Sequence, residues 1–152
     1  AKYFNEDEEL WGLAGLIHDA DYEMMQKKHP SPMLFDKLKN LGAAEKIIQA
    51  VKAHGWGFQP DLPEPQTKME WSLYCGDELS GLIIACALVR PEKKLATVSL
   101  ENVLKKWKEK SFAAGVHREQ IALCETKLEI TLNEFINICL KAMQAIASEL
   151  GL

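Results

Sequence analysis

The sequence predicts an all-α fold in one domain, and three observations support this prediction. Apolar residues recur at the i, i+3, i+4 spacing of helices in most segments between turn signals. No segment shows the alternating pattern of a strand, and there is no internal repeat. The 152 residues are enough to bury about two-thirds of the unfolded surface around one core. We therefore expect a single-domain helical bundle spanning residues 1–152.

The first predicted helix follows Asn5, because acidic residues stand in the first turn and an apolar stripe covers residues 10–17. This helix is expected to close at the adjacent pair His18-Asp19. Residues 20–31 contain lysines and a proline. We expect them to form a loop that folds over whatever the helix end presents.

Stop signals define the next elements. In order, we expect a short helix over 32–39 that ends before Gly42, a helix over 43–54 that ends at Gly55, an extended proline-rich loop over 55–67, and a long apolar helix over 68–89. Asp77 and Glu78 lie in the middle of this last helix, where an acid needs a partner.

Shorter helices are predicted in the second half of the chain. Ser99 is expected to cap a basic helix over residues 100–110, and another helix is expected to start near Arg118. A capping-box pattern at Thr131 precedes a last helix that is expected to run to Gly151.

Composition and charge argue against several classes of function. A net charge of −4 and a pI near 5.6 disfavour general binding of double-stranded nucleic acid or of an anionic membrane, which need a positive field. The longest apolar run is far shorter than the roughly 20 residues of a membrane span. The cysteines form no CxxC pair, so we expect reduced, buried thiols and a cytoplasmic protein; they are Cys75, Cys86, Cys124 and Cys139.

Histidines and acids suited to metal binding lie at His18, Asp19, His29, His54 and Asp77. Imidazole and carboxylate groups together suit divalent transition metals such as Mn, Fe, Zn, Ni or Co. His18 and Asp19 stand where a helix is expected to end, and there both can reach one ion. The alternative is that His18 and Asp19 only cap the helix, and that Asp77 pairs with a buried cation.

Other residues are candidates for chemistry or substrate binding. Asp21 and Glu23 follow the pair closely enough to move a proton, although acids in such a loop are usually just exposed. Lys105 and Lys106 belong to a basic patch that captures phosphate or is a solvated helix face. Trp56 is the tryptophan best placed to stack on a ligand base. His117, outside this set, is expected at a helix start rather than at a metal.

Four ordered motifs carry a resemblance to a known family. WGLAGLIHDADYE, KKHP, IIQAVKAHG and LYCGDELSGLIIACALVRP resemble the successive motifs of the HD superfamily of metal-dependent phosphohydrolases and cover residues 6–91. The segments KKWKEKSFAAGVHREQI and AMQAIASELGL are similar to an uncharacterised bacterial and archaeal branch of that superfamily.

The resemblance implies a set of ligands. His18 and Asp19 match the paired ligands of the family, and Asp77 matches its distal aspartate. His29 and His54 match the histidines of members that bind a second ion, in which Asp19 bridges the two. The family's first ligand is a histidine upstream of the pair. Because the chain begins with Ala1 inside a helical pattern, we expect that the sequence lacks a native N-terminal segment with this histidine; otherwise the site is degenerate.

The function that the resemblance implies is hydrolysis of a small phosphate ester, with a nucleotide as the expected substrate and one or two ions as cofactors. Asp19, Asp21 and Glu23 are the expected catalytic acids, and Lys105, Lys106 and Trp56 the expected substrate contacts. One alternative is a degenerate HD fold that binds a nucleotide or a protein without turnover, and another is a di-iron oxygenase. Homodimerisation is left open.

Overall fold

The computed structural model describes residues 1–25 and 28–152, and these residues contain helices and no β-strand. The all-α class is therefore confirmed for the part of the chain described. The helices are α1 Glu8–Ile17, α2 Tyr22–Met25, α3 Pro32–Asn40, α4 Glu45–Ala53, α5 Lys68–Leu88, α6 Leu100–Lys108, α7 Arg118–Lys127, α8 Leu132–Ala145 and α9 Ala147–Leu150.

Contacts along the backbone divide the chain into two compact units, Ala1–Tyr74 and Cys75–Leu152. The boundary between them falls inside α5 rather than in a linker. Within the described residues, none of the helices is both long enough and apolar enough to cross a membrane.

The first unit opens with a short 3-10 turn, so α1 starts later than predicted. Asn5 ends this turn with a left-handed backbone, φ 54°. The cap of α1 is Asp7, whose carboxylate accepts hydrogen bonds from the backbone N–H groups of Glu9 at 2.9 Å and Leu10 at 3.0 Å. The prediction of a start directly after Asn5 is wrong, because Asn5 ends the 3-10 turn and the cap of α1 falls two residues later, at Asp7. The predicted closure at His18 is confirmed, since His18 is the C-terminal cap.

The described residues between α1 and α3 include a helical turn that the sequence did not predict. A loop was expected over residues 20–31, and this is wrong at Tyr22–Met25, which form the single turn α2. Gln26 and Lys27, the second of which begins the KKHP motif, lie outside the described residues. The Ser31 hydroxyl then caps α3 by accepting from the backbone N–H of Leu34 at 3.3 Å.

The core of the first unit forms where α1, α3 and α4 pack together. Buried apolar side chains from each helix and from the start of α5 make one cluster, and its members are Ala14, Leu34, Leu38, Ile47, Ile48, Ala50, Val51 and Met69. The helix stops predicted near Gly42 and Gly55 are confirmed, and Gly42 has the positive φ, 75°, that a glycine adopts without strain. Gly55 directly follows His54, so both α1 and α4 of this unit end at a histidine cap.

The second unit is built on the C-terminal half of α5, which is fully buried at Leu79, Leu82 and Ile83. Ser99 caps α6 with a reciprocal capping box to Asn102, as the sequence predicted for the cap. The prediction of one continuous last helix is wrong. At Ile146 the backbone leaves helical geometry, φ −115° and ψ 19°, and separates α8 from α9.

The four cysteines are unpaired, and three of them are buried. Burial raises the pKa of Cys75 to about 12, so its thiol keeps its proton at neutral pH. Cys75, Cys86 and Cys124 therefore behave as small hydrophobic side chains, as expected from the sequence, whereas the expectation of burial is wrong for Cys139, which is only partly buried.

Candidate metal centre

Three of the four histidines lie in the first unit, and two of them end a helix. His18 is the C-terminal cap of α1 and His54 is the C-terminal cap of α4. His29 comes shortly before α3, in the segment that follows α2. Helix ends suit metal-binding side chains because the backbone can turn there without breaking interior hydrogen bonds.

The ligand atoms of Asp19, His29 and His54 converge. The Nε2 atom of His29 lies 2.9 Å from Nε2 of His54 and 2.7 Å from Oδ1 of Asp19. The distance from Nε2 of His54 to the same carboxylate oxygen is 3.8 Å. One nitrogen or oxygen from each residue therefore lies within 4.8 Å of the others, a spacing that can hold a metal ion.

The spacing fits the size of a coordination shell. Nitrogen or oxygen ligands that sit about 2.1 Å from one ion in a tetrahedral arrangement are about 3.4 Å from each other. The three distances in the cluster lie on both sides of this value. The ring of His54 is 4% exposed and that of His29 is 8% exposed, while the Asp19 side chain is 49% exposed. The cluster is thus held in the protein on the histidine side and open to solvent on the aspartate side.

Hydrogen bonds on the far side of each ring determine which nitrogen faces the cluster as an acceptor. Nδ1 of His54 lies 2.6 Å from the carbonyl oxygen of Val51, and Nδ1 of His18 lies 2.7 Å from that of Gly15. A carbonyl oxygen can only accept, so both Nδ1 atoms carry the proton. In the neutral ring the remaining nitrogen, Nε2, then has its lone pair available for a metal.

A carboxylate does the same for His29. Oδ1 of Asp21 lies 2.5 Å from Nδ1 of His29, and Oδ2 accepts from the backbone N–H of Ser31 at 2.9 Å. Burial by itself opposes the charge of Asp21, but hydrogen bonds from Ser31 and His29 outweigh it and lower the pKa of the carboxyl below its ordinary value. The ionised carboxylate can only accept, so Nδ1 of His29 also carries the proton.

His18 lies beside the cluster. Its Nε2 atom is 3.4 Å from Oδ2 of Asp19, and its ring meets the ring of His54 edge-on with 5.1 Å between centroids. One oxygen of Asp19 therefore faces His29 and His54, and the other faces His18. This arrangement allows Asp19 to take part in more than one ion contact.

The peptide around His29 is held by neighbours that the sequence did not indicate. The side-chain amide of Gln59 donates to the carbonyl oxygens of His29 at 2.7 Å and Pro30 at 3.1 Å. A Cβ atom added to Gly55 would lie 2.5 Å from the Pro30 ring and from the Leu62 side chain. Gly55 directly follows His54, and this adjacency is the one signal that could have suggested its role.

The acids predicted for catalysis occupy different environments. Asp21 is 2% exposed, so the alternative of a merely solvated acid is wrong for this residue, while Glu23 is exposed. Proton transfer by either acid stays a prediction. Asp77 lies half-buried on α5 in the second unit, and its role as a ligand also stays a prediction.

Two of the three predicted substrate contacts, Lys106 and Trp56, have protein partners. Lys106 pairs with Glu109 at 2.6 Å and lies over the Phe112 ring, and Lys105 is exposed on the same helix. Trp56 packs edge-on against Trp71, with 5.8 Å between ring centroids. Substrate binding by Lys105, Lys106 and Trp56 stays a prediction.

His117 is the fourth histidine, and it caps α7 as the sequence predicted. Its Nδ1 atom and its backbone N–H lie 2.8 and 2.9 Å from the two carboxylate oxygens of Glu78. His117 is therefore the partner of one of the two acids in the middle of α5.

Comparison of the chain with protein-family models, with curated proteins and with solved structures finds no match.

Proposed function

We propose that this protein is a metal-dependent phosphohydrolase that binds one or two divalent transition-metal ions through His18, Asp19, His29 and His54. One observation supports the ion site most directly. All three imidazoles are hydrogen-bonded at Nδ1 to groups that only accept, which leaves Nε2 as the ligand atom beside Asp19.

The donor set supports a transition metal over Mg²⁺ or Ca²⁺. Imidazole nitrogen suits Zn, Fe, Ni and Co, and a mixed imidazole and carboxylate set also accepts Mn, whereas Mg²⁺ and Ca²⁺ prefer oxygen ligands only. The resemblance to the HD superfamily adds Asp77 as a further proposed ligand.

The proposed reaction needs charge neutralisation and an activated water. When bound, a divalent ion supplies both, because it withdraws charge from a phosphate oxygen and lowers the pKa of water. The residues of this chain provide the rest. His29 and His54 hold their ring positions from the buried side, and Asp19 lies on the side that solvent and a substrate phosphate can reach.

The substrate class follows from the resemblance rather than from the cluster. The motifs resemble enzymes that act on phosphate esters, and a nucleotide is therefore the first substrate to test. Trp56, in the same unit as the cluster, is proposed as a contact for the base.

Metal-loaded protein assayed on a panel of phosphomonoesters, phosphodiesters and nucleotides tests this function. We expect turnover with at least one of Mn²⁺, Co²⁺, Ni²⁺, Zn²⁺ or Fe²⁺, and its loss in Asp19→Ala. The matched control is Asp36→Ala, which removes an exposed carboxylate from α3 and should leave turnover unchanged.

Other outcomes would separate the alternatives. Stoichiometric ion and nucleotide binding without hydrolysis of any ester would contradict the enzyme and support a binding module. Turnover that requires iron and O₂ would instead support oxidative chemistry at the same ligands.

A further inference from the structure

Asp21 is a buried acid that contacts the cluster and is not itself one of its proposed ligands. We infer that Asp21 is a positioning residue: by accepting the Nδ1 proton of His29, it keeps the Nε2 lone pair of that ring directed at the ion site. This role of Asp21 rests on the proposed function, because it requires that an ion binds at the cluster.

The two oxygens of Asp21 have separate tasks. Oδ1 accepts from His29 at 2.5 Å, and Oδ2 accepts from the backbone N–H of Ser31 at 2.9 Å. Ser31 is fully buried and is the N-terminal cap of α3, so the second hydrogen bond joins the carboxylate to the start of that helix. The orientation of the carboxylate is therefore set before His29 meets an ion.

This geometry argues for positioning rather than proton transfer. An acid that exchanges protons with a reacting water must reach that water, either directly or through another solvent molecule. Asp21 is 2% exposed, and its contact with the cluster is on the Nδ1 side of His29, away from Asp19 and His54. The path from Asp21 to the ion site therefore runs through the imidazole ring.

Substitution by asparagine separates positioning from simple packing. Asn has nearly the same shape as Asp but offers one accepting oxygen and one donating NH₂ group. If its oxygen accepts from Ser31, its NH₂ faces Nδ1 of His29 and favours the tautomer with the proton on Nε2. That tautomer cannot bind a metal through Nε2, so Asp21→Asn should weaken the ion site without creating a cavity.

Calorimetric titration of the metal-free protein with Zn²⁺ alone tests this. We expect Asp21→Asn to weaken Zn²⁺ binding by about 10–100-fold, the range typical of outer partners of metal-bound histidines. The matched control is Glu70→Gln, because Glu70 is also buried, at 7% exposed, and accepts backbone N–H groups in the same unit at Gln66 and Thr67. Glu70→Gln should bind Zn²⁺ as the wild type does.

The tautomer itself supplies a readout that a purely structural role would not move. Long-range ¹H–¹⁵N spectra of metal-free protein should show the His29 proton on Nδ1 in the wild type and on Nε2 in Asp21→Asn. If Asp21→Asn does not fold, the wild-type spectrum still decides, because a neutral His29 ring protonated only on Nε2 would overturn the inference.

The outcomes for the inference and for the proposed function are distinct. Equal Zn²⁺ affinity in wild type and Asp21→Asn overturns the inference and leaves the phosphohydrolase proposal standing. Weaker Zn²⁺ binding in Asp21→Asn, with no hydrolysis of any ester by the wild type, supports the inference and overturns the proposed reaction. A wild type that binds no Zn²⁺ overturns both.

Discussion

Two pairs of a carboxylate and an imidazole, Asp21–His29 in the first unit and Glu78–His117 in the second, share the same local geometry in different surroundings. In each pair the carboxylate faces Nδ1 of the histidine, at 2.5 Å and 2.8 Å respectively. In each pair the same carboxylate also accepts a backbone N–H at 2.9 Å, from Ser31 or from His117 itself. Both pairs therefore hold an imidazole and the start of a helix at once.

The difference lies on the other side of each ring. Nε2 of His29 meets His54 and Asp19, whereas His117 belongs to no group of metal-capable ligand atoms within the described residues. The His117 side chain is 49% exposed, and that of His29 is 8% exposed. A histidine held by a carboxylate can thus serve only to fix a helix start, and it becomes a candidate site where further ligands converge on the other side of a buried ring.

The largest effect that the comparison predicts is on metal affinity. His54→Ala should weaken Zn²⁺ binding by more than about 100-fold, because it removes a ligand, and loss of even an outer partner costs about 10–100-fold. His117→Ala should leave the affinity unchanged. Titration of both variants with Zn²⁺ checks this, and equal affinities would remove the distinction between the two kinds of histidine.

The next effect concerns the glycine that allows the His29 segment to approach α4. Gly55→Ala should lower the free energy of unfolding by about 1–3 kcal/mol, since the added methyl group meets the buried Pro30 ring at 2.5 Å. It should also weaken Zn²⁺ binding, because Pro30 is joined to His29. Denaturant unfolding and metal titration of the same variant measure the two effects.

A matched glycine in the same unit should respond in the opposite direction. Gly12 lies inside α1, and a Cβ atom there meets nothing within 4 Å. Gly12→Ala should raise the free energy of unfolding by about 0.5–1 kcal/mol, because alanine loses less backbone entropy in a helix. A destabilised Gly12→Ala, or a Gly55→Ala as stable as the wild type, would contradict the assignment of Gly55 as a close-approach position.

The smallest expected effect is the pH dependence of the exposed pair. The hydrogen bond to Glu78, with the charges of Glu78 and Glu119, raises the pKa of His117 above its ordinary value despite partial burial. The folded state therefore binds this proton more tightly. The stabilisation is complete below the unfolded pKa of about 6.5 and is lost as the pH rises through the raised value.

Comparison with His117→Gln isolates this contribution. The difference in unfolding free energy between wild type and variant should be constant at acidic pH and should shrink as the pH rises above about 6.5. It should be small and should fall with added salt, since the pair is exposed to solvent. A difference that grows with pH would show that folding lowers the pKa of His117 instead of raising it.

Much of the fold was predictable because helix signals are local. The caps at Ser99 and Thr131 and the stop at Gly55 act through the backbone within one turn of their own positions, so the sequence around them is sufficient. Two of the wrong predictions also have local causes. Asn5 was displaced as a cap by a 3-10 turn, and the helix expected to run to Gly151 is interrupted at Ile146, where no proline or glycine marks the break.

The candidate site was predictable only as a set of residue types. The residue types of His18, Asp19, His29 and His54, and the resemblance of their motifs, indicated ligands, but a sequence position does not tell which ring nitrogen faces inward. The role of Asp21 illustrates the limit. The sequence around Asp21 does not distinguish it from an exposed loop acid such as Glu23. In the structure, however, the Asp21 carboxylate is buried against His29 and Ser31.

By itself, the sequence determined that the protein is helical, where most helices begin and end, and that His18 and His54 stand at helix ends, since caps and periodicity are properties of neighbouring residues. The tertiary structure alone decided that His29, His54 and Asp19 meet, and that Asp21 and Gln59 hold the His29 segment in place. The reason is that these contacts join residues far apart along the chain, and their geometry depends on how α1, α3 and α4 pack rather than on any local preference.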